Sequence, residues 1–598
     1  MADQNSPNHG QFSLFKQRRF LPFFLTQFLG AFNDNVFKNS LVLLLTYGTL
    51  INADEKLSLY TNAAALLFIL PFFLFSGTAG QIADKYEKSK LIRNIKFFEV
   101  LIMILAALAF YLQSVMSLMS VLFFMGAQSS FFGPVKYSII PQHLKKEELV
   151  GGNALVESGT FLAILLGAIL AGLLHRFDTP ALPVSIAVIV FATLGYCTSR
   201  AIPTAPAVAP DLKINWNILT QTVKTISFTR RNPTVFIAIM AISWFWFLGA
   251  AYLTQFPEYS KVLLSGDDSI VILLLTTFSI GIGVGSLLCE KLSGHKVELG
   301  LVPIGSIGLS IFGLDLSLQA MPPATDTLRS MADFLSIPNS THILLDMLCI
   351  GLFGGLYIVP LYTMIQERSD PAVRSRVIAG NNIFNALFMV TSAATGFILL
   401  GIFQLSIPEF FFAISILNIA VAVWIFRQSP EFTMRFIILL LTHTLYRVRH
   451  SGIHQIPATG PAIVICHQTR YWDTLLISRI LRRPVRFVIP ETTYQLPILN
   501  FILRTGKAIP IASPTSTQES NKTLLNCVTA ELKNSGLICL YLKNNSELEK
   551  QDQKIIDQLK PIIEQHSIPF IPLTLDYQKK RLKFFSTVRC IVSQTTNQ

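Results

Sequence analysis

The chain has 598 residues, of which 51% are hydrophobic and only 14% are charged, and its mean hydropathy is +0.51. Soluble domains carry about 25% charged residues, so this composition excludes an ordinary soluble protein and predicts a polytopic membrane protein. The net charge of +13 does not indicate nucleic-acid binding, because its distribution along the chain follows membrane topology.

Apolar runs long enough to cross a hydrocarbon core of roughly 30 Å recur as far as residue 430. They predict about twelve helical spans in two groups of six, separated by a polar, proline-containing central loop at 201–232. The first group, the transporter half at 20–200, comprises Phe20–Leu50, Leu57–Ala83, Leu91–Gln113, Val115–Ile140, Ala154–His175 and Ala181–Tyr196. The second group, at 233–428, comprises Thr234–Phe256, Ile270–Leu292, Leu299–Leu318, His342–Ile365, Val377–Phe403 and Pro408–Phe426. We expect no cleavable signal peptide, because the first apolar run is long and a polar tail at 1–19 precedes it.

Lysine and arginine are concentrated in alternate loops. The N-terminal tail and the loops after even-numbered spans carry Lys16, Arg18, Arg19, Lys85, Lys88, Lys90, Arg93, Lys96, Lys145, Lys146, Lys213, Lys224, Arg230, Arg231, Lys291, Lys296, Arg368, Arg374, Arg376 and Arg427. The loops after odd-numbered spans carry only Lys56, Arg176, Lys261 and Arg329. The positive-inside bias therefore predicts that both termini are cytoplasmic.

The seven cysteines are scattered, without a C-x-x-C pair or a spacing typical of a zinc site. Disulfides are not expected in membrane spans or in a cytoplasmic domain. The sequence predicts neither a metal site nor a bound cofactor.

The two halves share a weak repeat. The segments that begin at Phe132 and Gly151 resemble those that begin at Phe353 and Ala379. Halves related in this way are typical of secondary transporters, in which the substrate path lies between them.

The loop between the second and third spans reads Gly80-Gln-Ile-Ala-Asp84-Lys85-Tyr-Glu-Lys88. It resembles the Gly-x-x-x-Asp-Arg/Lys loop of the major facilitator superfamily, and with six-plus-six spans it indicates that α-helical polytopic fold. The segments around Gln27-Phe-Leu-Gly and Gly133-Pro-Val-Lys further resemble the bacterial lysophospholipid transporter branch of this superfamily. The resemblance implies a bacterial inner-membrane protein, and some members of the branch are fused to an acyltransferase domain.

A polar cluster in the first span comprises Asn33, Asp34, Asn35 and Lys38. Asp34 and Lys38 are four apart, so a helix brings them to one face where they can pair. A charge near mid-bilayer costs about 2.5 kcal/mol or more, which disfavours an unpaired, lipid-facing position. Either these residues line a central cavity and meet a zwitterionic or anionic headgroup or a proton, or the pair locks two helices together.

Other polar residues in the spans carry weaker signals. Glu157 in the fifth span is a further transport candidate. Lys136 is expected to reach the cytoplasmic interface with its long side chain. Glu99 and Glu290 are expected at the membrane interface. By the resemblance, Gly80, Asp84, Lys85 and Lys88 form a gate in which the carboxylate holds helix ends together.

The segment after residue 430 has a different character. A short apolar run within 431–449, flanked by basic residues, predicts an interfacial helix, because it is short for a span. Four strand-like runs alternate with helix-like stretches at Asp473–Leu481 and Gln518–Lys533, which predicts an α/β domain at 450–598. The runs are Ala462–Cys466, Val485–Ile489, Leu537–Leu542 and Phe570–Thr574.

The sequence blocks of this tail resemble the glycerolipid acyltransferase family. The resemblance makes His467 the base that deprotonates a lipid hydroxyl, with Asp473 as the carboxylate that orients it. The family separates the two by five positions, whereas His467 and Asp473 are six apart, and one residue turns a helix by about 100°. The phosphate-binding block, Phe-Pro-Glu-Gly in the family, aligns with Tyr541–Glu547 and lacks the glutamate, glycine and arginine of the motif.

These observations leave three functions open. The leading one is a transporter that moves lysophospholipid to the cytoplasmic leaflet, with a degenerate acyltransferase-like tail that binds lipid. If the tail is active, it requires an acyl carrier protein or CoA thioester as acyl donor, supplied by a separate acyl-activating protein. The alternatives are a carrier of a drug- or siderophore-like amphiphile with a relic domain, and an active acyltransferase fused to a transporter. Membrane lipids are expected partners and nucleic acid is not.

Overall fold

The computed structural model describes residues 10–47, 54–294, 296–320, 322–323, 325, 327–452, 455–457, 460–467, 473–481, 485–490, 497–511, 518–533, 536–542, 568–578 and 586–592. The described chain divides after Gln428 into two compact units, a helical one and a smaller one that begins at Ser429.

The helical unit contains two sets of six long helices. The first set is α1 (Leu21–Tyr47), α2 (Asp54–Lys85), α3 (Lys88–Tyr111), α4 (Val115–His143), α5 (Leu149–Leu174) and α6 (Ala181–Ser199). A helix in the central loop follows, α7 (Ile218–Thr229). The second set is α8 (Pro233–Glu258), α9 (Asp268–Ser293) and α10 (Leu301–Leu318), then the short α11 (Met331–Leu335), then α12 (Ser340–Arg368), α13 (Arg374–Gly396) and α14 (Ile407–Gln428).

Ten helices within the described residues are long and apolar enough to cross a membrane. The two other long helices, α1 and α3, have 27 and 24 residues but carry several polar and charged side chains. Many of these side chains are buried against other helices, so a polar sequence is compatible with a position inside the bundle. The six-plus-six architecture predicted from the sequence is confirmed.

Local signals in the sequence set several helix ends. Asn232 caps α8 by accepting hydrogen bonds from the backbone N–H groups of Thr234 and Val235, and Pro233 occupies the first helical position. Asp267 caps α9 in the same way, and Gly294 ends that helix with a positive φ of 62°. Capping therefore explains why the helices begin and end close to the predicted limits.

The central loop differs from the prediction, which gave it no regular structure. Residues 218–229 form α7, whose N-terminus is capped by Asn217. The helix escaped the sequence analysis because its buried side chains are threonines and a glutamine, so its hydrophobic pattern does not mark a core-facing helix.

Helices pack closely within and between the two halves. In the second half, a Cβ at Gly281 or Gly285 of α9 would clash with the backbone of α12, so small residues allow these two helices to touch. Between the halves, α2 packs against α13 and α5 packs against α9. Each half thus contributes one helix to each of two contacts, as expected for a pseudo-two-fold repeat.

The smaller unit is an α/β domain. It comprises α15 (Pro430–Leu445), β1 (Tyr446–Ser451), β2 (Ala462–His467), α16 (Asp473–Ile480), β3 (Val485–Pro490), α17 (Pro497–Thr505), β4 (Ile509–Ile511), α18 (Gln518–Lys533), β5 (Leu537–Leu542), β6 (Phe570–Gln578) and β7 (Ser586–Val592). The strands form one sheet in the order β1-β7-β6-β2-β5-β3-β4, in which the β6–β7 pair is antiparallel and every other pair is parallel. The four predicted strands are β2, β3, β5 and β6.

Helices cover both faces of this sheet. Apolar side chains of α15, α16 and α17 pack with one face, and those of α18 pack with the other. This explains why the central strand β2 reads as a continuous apolar run. The interfacial helix predicted at 431–449 ends earlier than expected, at Leu445, because residues 446–451 form a strand that pairs with β7.

Candidate functional site

A polar network joins α1, α3 and α4 within the first half. Asn33 is fully buried and donates from Nδ2 to Glu99 Oε1 at 3.5 Å. Asp34 accepts a hydrogen bond from Ser129 Oγ at 2.8 Å, and Ser129 Oγ also lies 3.1 Å from Gln128 Oε1. The second carboxylate oxygen of Asp34 is buried and accepts no hydrogen bond from the described residues. It is therefore an acceptor that a cationic group or a proton can use.

An ion pair lies next to this network. Lys96 Nζ is 2.5 Å from Glu99 Oε2, and both side chains are 1% exposed. Gln128 Nε2 donates to the same oxygen at 2.9 Å, and a Cβ at Gly30 would clash with the Lys96 ammonium. The expected positions, Lys96 in a cytoplasmic loop and Glu99 at the membrane interface, are wrong. The two charges are instead buried because each compensates the other.

A second acid lies at the boundary between the halves. Glu157 of α5 is buried and accepts a hydrogen bond from the Tyr137 hydroxyl at 2.6 Å, while its Oε2 accepts none from the described residues. The Tyr137 ring stacks on Tyr362 of α12 with centroids 4.3 Å apart. Trp246 of α8 donates to the Tyr362 hydroxyl at 3.4 Å. Aromatic rings of the second half thus face an acid of the first.

Lys136 is also buried, with 9% of its surface exposed. Its ammonium donates to Thr160 Oγ1 of α5 at 3.0 Å, and that oxygen lies 3.1 Å from Gln27 Oε1 of α1. The prediction that Lys136 reaches the membrane interface is wrong, because the side chain points between helices and finds a hydrogen-bond acceptor there. A cation and an acid, Lys136 and Glu157, therefore lie on neighbouring helices.

The other predicted transport residues point elsewhere. Asn35 donates to the Ala31 carbonyl of its own helix at 2.8 Å. Lys38 is exposed, and its ammonium lies 5.8 Å from the centre of the Phe68 ring of α2. Within the described residues Lys38 forms no ion pair with Asp34, whose side chain turns towards α4. The predicted Asp34–Lys38 pair is not formed in this structure.

The predicted gating loop contacts the second half. Asp84 is fully buried and accepts hydrogen bonds from Arg376 Nε at 2.9 Å and from the Ser375 backbone N–H at 3.1 Å. Both donors are in the first turn of α13, so the carboxylate also meets the positive end of the helix dipole. A Cβ at Gly80 would lie 2.7 Å from the Ala379 side chain, so glycine allows the close approach. These contacts join the end of α2 to the start of α13.

Lys85 and Lys88 make different contacts. The Lys85 ammonium lies 5.9 Å from the Tyr86 ring centre, and Lys88 is buried with its backbone N–H bound to the Ala205 carbonyl at 3.0 Å. Neither forms an ion pair with Asp84 within the described part of the chain. The structure therefore brings together Gly80 and Asp84 of the predicted gate, but not its two lysines.

The central loop is tied to the end of α2 and the turn after it. Hydrogen bonds join Ala205 N to Glu87 Oε1 (2.8 Å), Val208 N and Ala209 N to the Asp84 carbonyl (3.1 and 2.9 Å), and Asn215 N to Gln81 Oε1 (3.0 Å). Burial alone would raise the pKa of Glu87, but hydrogen bonds from Ser89, Ala205 and Lys90 hold that pKa below its usual range. The loop therefore binds the gate region through a carboxylate that stays ionised.

The N-terminal segment contacts the second half. Gln11, in a 3₁₀ helix at Gln11–Lys16, donates from its backbone N–H to Glu290 Oε2 and from Nε2 to the Leu287 carbonyl, each at 3.1 Å. Glu290 is buried next to Gly151 of α5. Glu290 lies three residues before the end of α9 and is covered by protein, where a backbone donor at a helix N-terminus compensates its charge.

The described residues include one group with the side chains of a metal site. Asp315 of α10 and His342 and Asp346 of α12 offer ligand atoms within 4.8 Å of one another. His342 Nε2 lies 3.3 Å from Asp315 Oδ2, and Gln319 donates to Asp346 Oδ2 at 3.0 Å. Two carboxylates and an imidazole can hold a divalent cation or share a proton. Their wide separation along the chain hid this group from the sequence analysis.

The predicted catalytic residues of the tail flank one connection. His467 ends β2 and Asp473 begins α16, where its side chain is fully buried. The residues between them and the His467 side chain lie outside the described part of the chain. Burial raises the pKa of the neighbouring Cys466 thiol to about 12, which favours its protonated form.

The sheet brings other acyltransferase-like blocks next to His467. Strands β2 and β5 are parallel neighbours, and His467 pairs in register with Leu542. The block that replaces the family's phosphate-binding motif starts at the end of β5, at the same edge of the sheet, although residues 543–547 lie outside the described residues. Strand β6 is the other parallel neighbour of β2. The carboxyl ends of parallel strands are where α/β sheets bind ligands.

Comparisons with known proteins agree with both units. A family model described as Major Facilitator Superfamily matches residues 23–393, and one described as Acyltransferase matches residues 447–575. The lysophospholipid transporter LplT of Cronobacter sakazakii is 24% identical over 416 residues, which cover 68% of this chain and 92% of the relative. LplT of Escherichia coli strain SE11 is 25% identical over 389 residues, covering 64% and 87%.

Two solved structures share the helical fold. The human organic anion transporter MFSD10 has a TM-score of 0.55 at 11% identity, with 68% of this chain and 99% of that one covered. The transporter FucP in its outward conformation has a TM-score of 0.52 at 12% identity, with 69% and 100% covered. At these identities the similarity concerns the fold alone.

Proposed function

This chain belongs to the major facilitator superfamily, and we propose that it moves lysophospholipid across the bacterial inner membrane, from the outer to the cytoplasmic leaflet. The named relatives support this proposal, because the similarity extends over most of their length. The runner-up is a carrier of a soluble drug- or siderophore-like amphiphile.

One observation carries the choice of cargo. Two membrane-embedded acids, Asp34 and Glu157, each use one carboxylate oxygen in a hydrogen bond and keep the other without a donor among the described residues. A buried ammonium, Lys136, lies on the helix next to Glu157. A zwitterionic phospholipid headgroup contains an ammonium and a phosphate, so acids and a lysine together suit both of its charges. Intramembrane charges of this kind are energetically costly, and they commonly mark the substrate path of a transporter.

Transport into proteoliposomes tests the proposal. We expect vesicles containing the protein to take up labelled lysophosphatidylethanolamine faster than empty vesicles, and Asp34→Ala to reduce that uptake. Thr391→Ala is a matched control, because this exposed hydroxyl on α13 donates to the Leu387 carbonyl of its own helix. Wild-type uptake at the rate of empty vesicles, together with transport of a soluble amphiphile, would favour the runner-up.

The proposed orientation has both termini in the cytoplasm and is supported by the one-sided distribution of lysine and arginine. A reporter fused after Gln598 is expected to report cytoplasm, and one inserted near Asp54 is expected to report periplasm. The opposite pattern would contradict the scheme, because the tail would then have no access to cytoplasmic acyl donors.

The tail unit is proposed to bind the cargo rather than to acylate it. The sheet supports a lipid-binding edge, since the carboxyl ends of β2, β5 and β6 meet next to His467. The shifted spacing of His467 and Asp473 and the loss of the phosphate-binding motif argue against efficient catalysis. If the tail does acylate lysophospholipid, it needs an acyl carrier protein or CoA thioester and a separate acyl-activating protein.

A further inference from the structure

The central-loop helix α7 has an unusual distribution of side chains. Its buried face is polar and consists of Gln221, Thr222, Thr225 and Thr229. The large apolar side chains are on the outside: Trp216, just before the helix, and Leu219 and Val223 on it are 70%, 71% and 67% exposed. Because the helix buries threonines and exposes leucine and valine, its outer surface is expected to contact something other than water.

The polar face packs against both halves of the transporter. Thr222 donates to the Phe73 carbonyl of α2 at 3.4 Å, and a Cβ at Gly77 of α2 would lie 3.3 Å from the Thr222 backbone nitrogen. On α13, a Cβ at Gly380 would clash with the Thr229 methyl group. Glycines in two different halves therefore admit the same short helix, which bridges them.

The exposed face of α7 has two edges. At 100° per residue, Leu219 and Val223 fall on one edge, and Thr220, Lys224 and Ser227 fall on the other. Arg230 and Arg231 follow at the C-terminal end and are exposed. An apolar edge beside a polar, basic one is the pattern of a helix that lies in a membrane surface.

The depth of α7 agrees with that position. At 1.5 Å per residue, its contact with Gly77 lies about 12 Å from the end of α2, and its contact with Gly380 lies about 9 Å from the start of α13. Interfacial helices bury their apolar face about 5–10 Å into the headgroup and acyl boundary. The two contacts therefore lie about two turns inside the ends of these spanning helices, which agrees with an interfacial position of α7.

The helix also touches the gate. The guanidinium carbon of Arg376 lies 5.3 Å from the centre of the Phe228 ring of α7, and the same guanidinium binds Asp84. A cation over an aromatic face is stabilised, so α7 supports the arginine in its ion-paired position. A physical connection thus runs from the outer edge of α7 to the contact that closes this side of the transporter.

From these contacts we propose that α7 binds the anionic lipid surface of the leaflet on the gate side, and that this binding holds the Asp84–Arg376 contact closed. The leaflet is cytoplasmic in the orientation proposed above, and the inference depends on that orientation but not on the identity of the cargo. The partner is anionic because the polar edge and the C-terminal end of α7 carry Lys224, Arg230 and Arg231.

The first experiment asks which edge of α7 meets lipid. Single cysteines at Leu219 or Thr220 are spin-labelled in the full-length protein, with the accessible Cys197, Cys349 and Cys527 replaced by alanine. The protein is studied in nanodiscs of phosphatidylcholine with phosphatidylglycerol. We expect the label at 219 to be relaxed by oxygen, which dissolves in lipid, and the label at 220 by an aqueous nickel chelate. Equal exposure of both labels to the aqueous reagent would overturn the proposal.

The second experiment asks whether lipid contact keeps the gate closed. Ser375 is buried beside Asp84, so the alkylation rate of a Ser375→Cys variant reports opening. Leu219→Asn with Val223→Asn, which makes the apolar edge polar without adding charge, is expected to raise that rate about fivefold. Thr220→Asn with Ser227→Asn, the matched change on the polar edge, is expected to leave it unchanged. Replacing phosphatidylglycerol by phosphatidylcholine should also raise the rate in the protein whose α7 is unsubstituted.

Similar rates for both double variants, or a rate independent of lipid charge, would overturn the proposal. Neither readout uses lysophospholipid, so failure here is distinct from failure of the transport assay.

Discussion

Asn153 of α5 and Gln366 of α12 exchange two hydrogen bonds across the boundary between the transporter halves. Asn153 Nδ2 donates to Gln366 Oε1 at 2.7 Å, and Gln366 Nε2 donates to Asn153 Oδ1 at 3.0 Å. Gln366 also donates to the Tyr137 carbonyl at 3.1 Å. All three groups are buried near the ends of their helices on the gate side, so this amide pair is a second closure beside Asp84–Arg376.

Asn153→Ala should open this side more often. Each buried hydrogen bond contributes roughly 0.5–1.5 kcal/mol, and Ala also removes the Asn153 donor of the buried Gln366 Oε1. Spin labels at the exposed Lys146 and Asp370, in loops of opposite halves, should show a larger population at long distance by pulsed EPR. Thr193→Ala is the control, because its exposed hydroxyl donates to the Ile189 carbonyl of its own helix. An unchanged distance distribution in Asn153→Ala would mean that the amide pair does not contribute to closure.

The buried Lys96–Glu99 ion pair of α3 is expected to stabilise the folded protein. Lys96→Met leaves Glu99 charged in the bundle, and removing one partner of a buried pair costs about 3–5 kcal/mol. Thermal unfolding of the detergent-solubilised protein should therefore occur at a clearly lower temperature. Adding Glu99→Gln should restore part of the loss, because glutamine is neutral and its one amide oxygen can still accept a hydrogen bond from Asn33 or Gln128. A single variant as stable as wild type, or a double variant less stable than the single one, would contradict this account.

Much of the architecture could be predicted because it depends on the length of the apolar runs in the sequence. The twelve long helices, the two halves and the central strands of the tail all come from apolar runs, whose pattern is visible locally. The gate aspartate was predictable too, since its motif is short and contiguous. The pairing of Lys96 with Glu99 was not, because a charge at the end of an apolar run looks the same whether it faces water or a buried partner.

The helix α7 and the Asp315–His342–Asp346 group could not be predicted from the sequence either, for two different reasons. The helix buries threonines against glycines, so the pattern that usually reveals a core-facing side is reversed. The second group brings together residues of α10 and α12 that only the packing of those helices makes neighbours. Neither signal is present in a window of consecutive residues.

The docking of the central loop should depend on the charge of Glu87. Glu87→Gln removes a charged acceptor of the Ala205, Ser89 and Lys90 backbone N–H groups. Amide hydrogen exchange of the peptide 201–215, followed by mass spectrometry, should be about fivefold faster, as expected for a loss of about 1 kcal/mol. Exchange in Asn232→Gln, which alters a helix cap elsewhere, should stay as in wild type for this peptide.

The Glu87 carboxylate also predicts how the docking of the central loop changes with pH. The pKa of Glu87 is lower in the folded protein than its ordinary 4.5, so its contribution is complete above that value and is lost as the pH falls through the lower, folded pKa. Exchange in the 201–215 peptide, corrected for the intrinsic pH dependence, should rise below pH 4.5 in wild type and stay flat in Glu87→Gln. A rise of equal size in both proteins would assign the acid sensitivity to another group.

The tail is expected to show negligible acyltransferase turnover. A correctly positioned general base contributes about 10²–10⁴-fold, and the orienting carboxylate at Asp473 is one residue out of the family's spacing. The measurement uses the purified protein with lysophospholipid and an acyl carrier protein or CoA thioester, beside His467→Ala and a variant that lacks Arg470 and so restores the five-residue spacing. Activity in the deletion variant alone would identify the spacing as the cause of inactivity. Robust wild-type turnover that His467→Ala abolishes would show that the tail is an enzyme, whereas inactivity of all three with intact transport is the result expected of a lipid-binding domain.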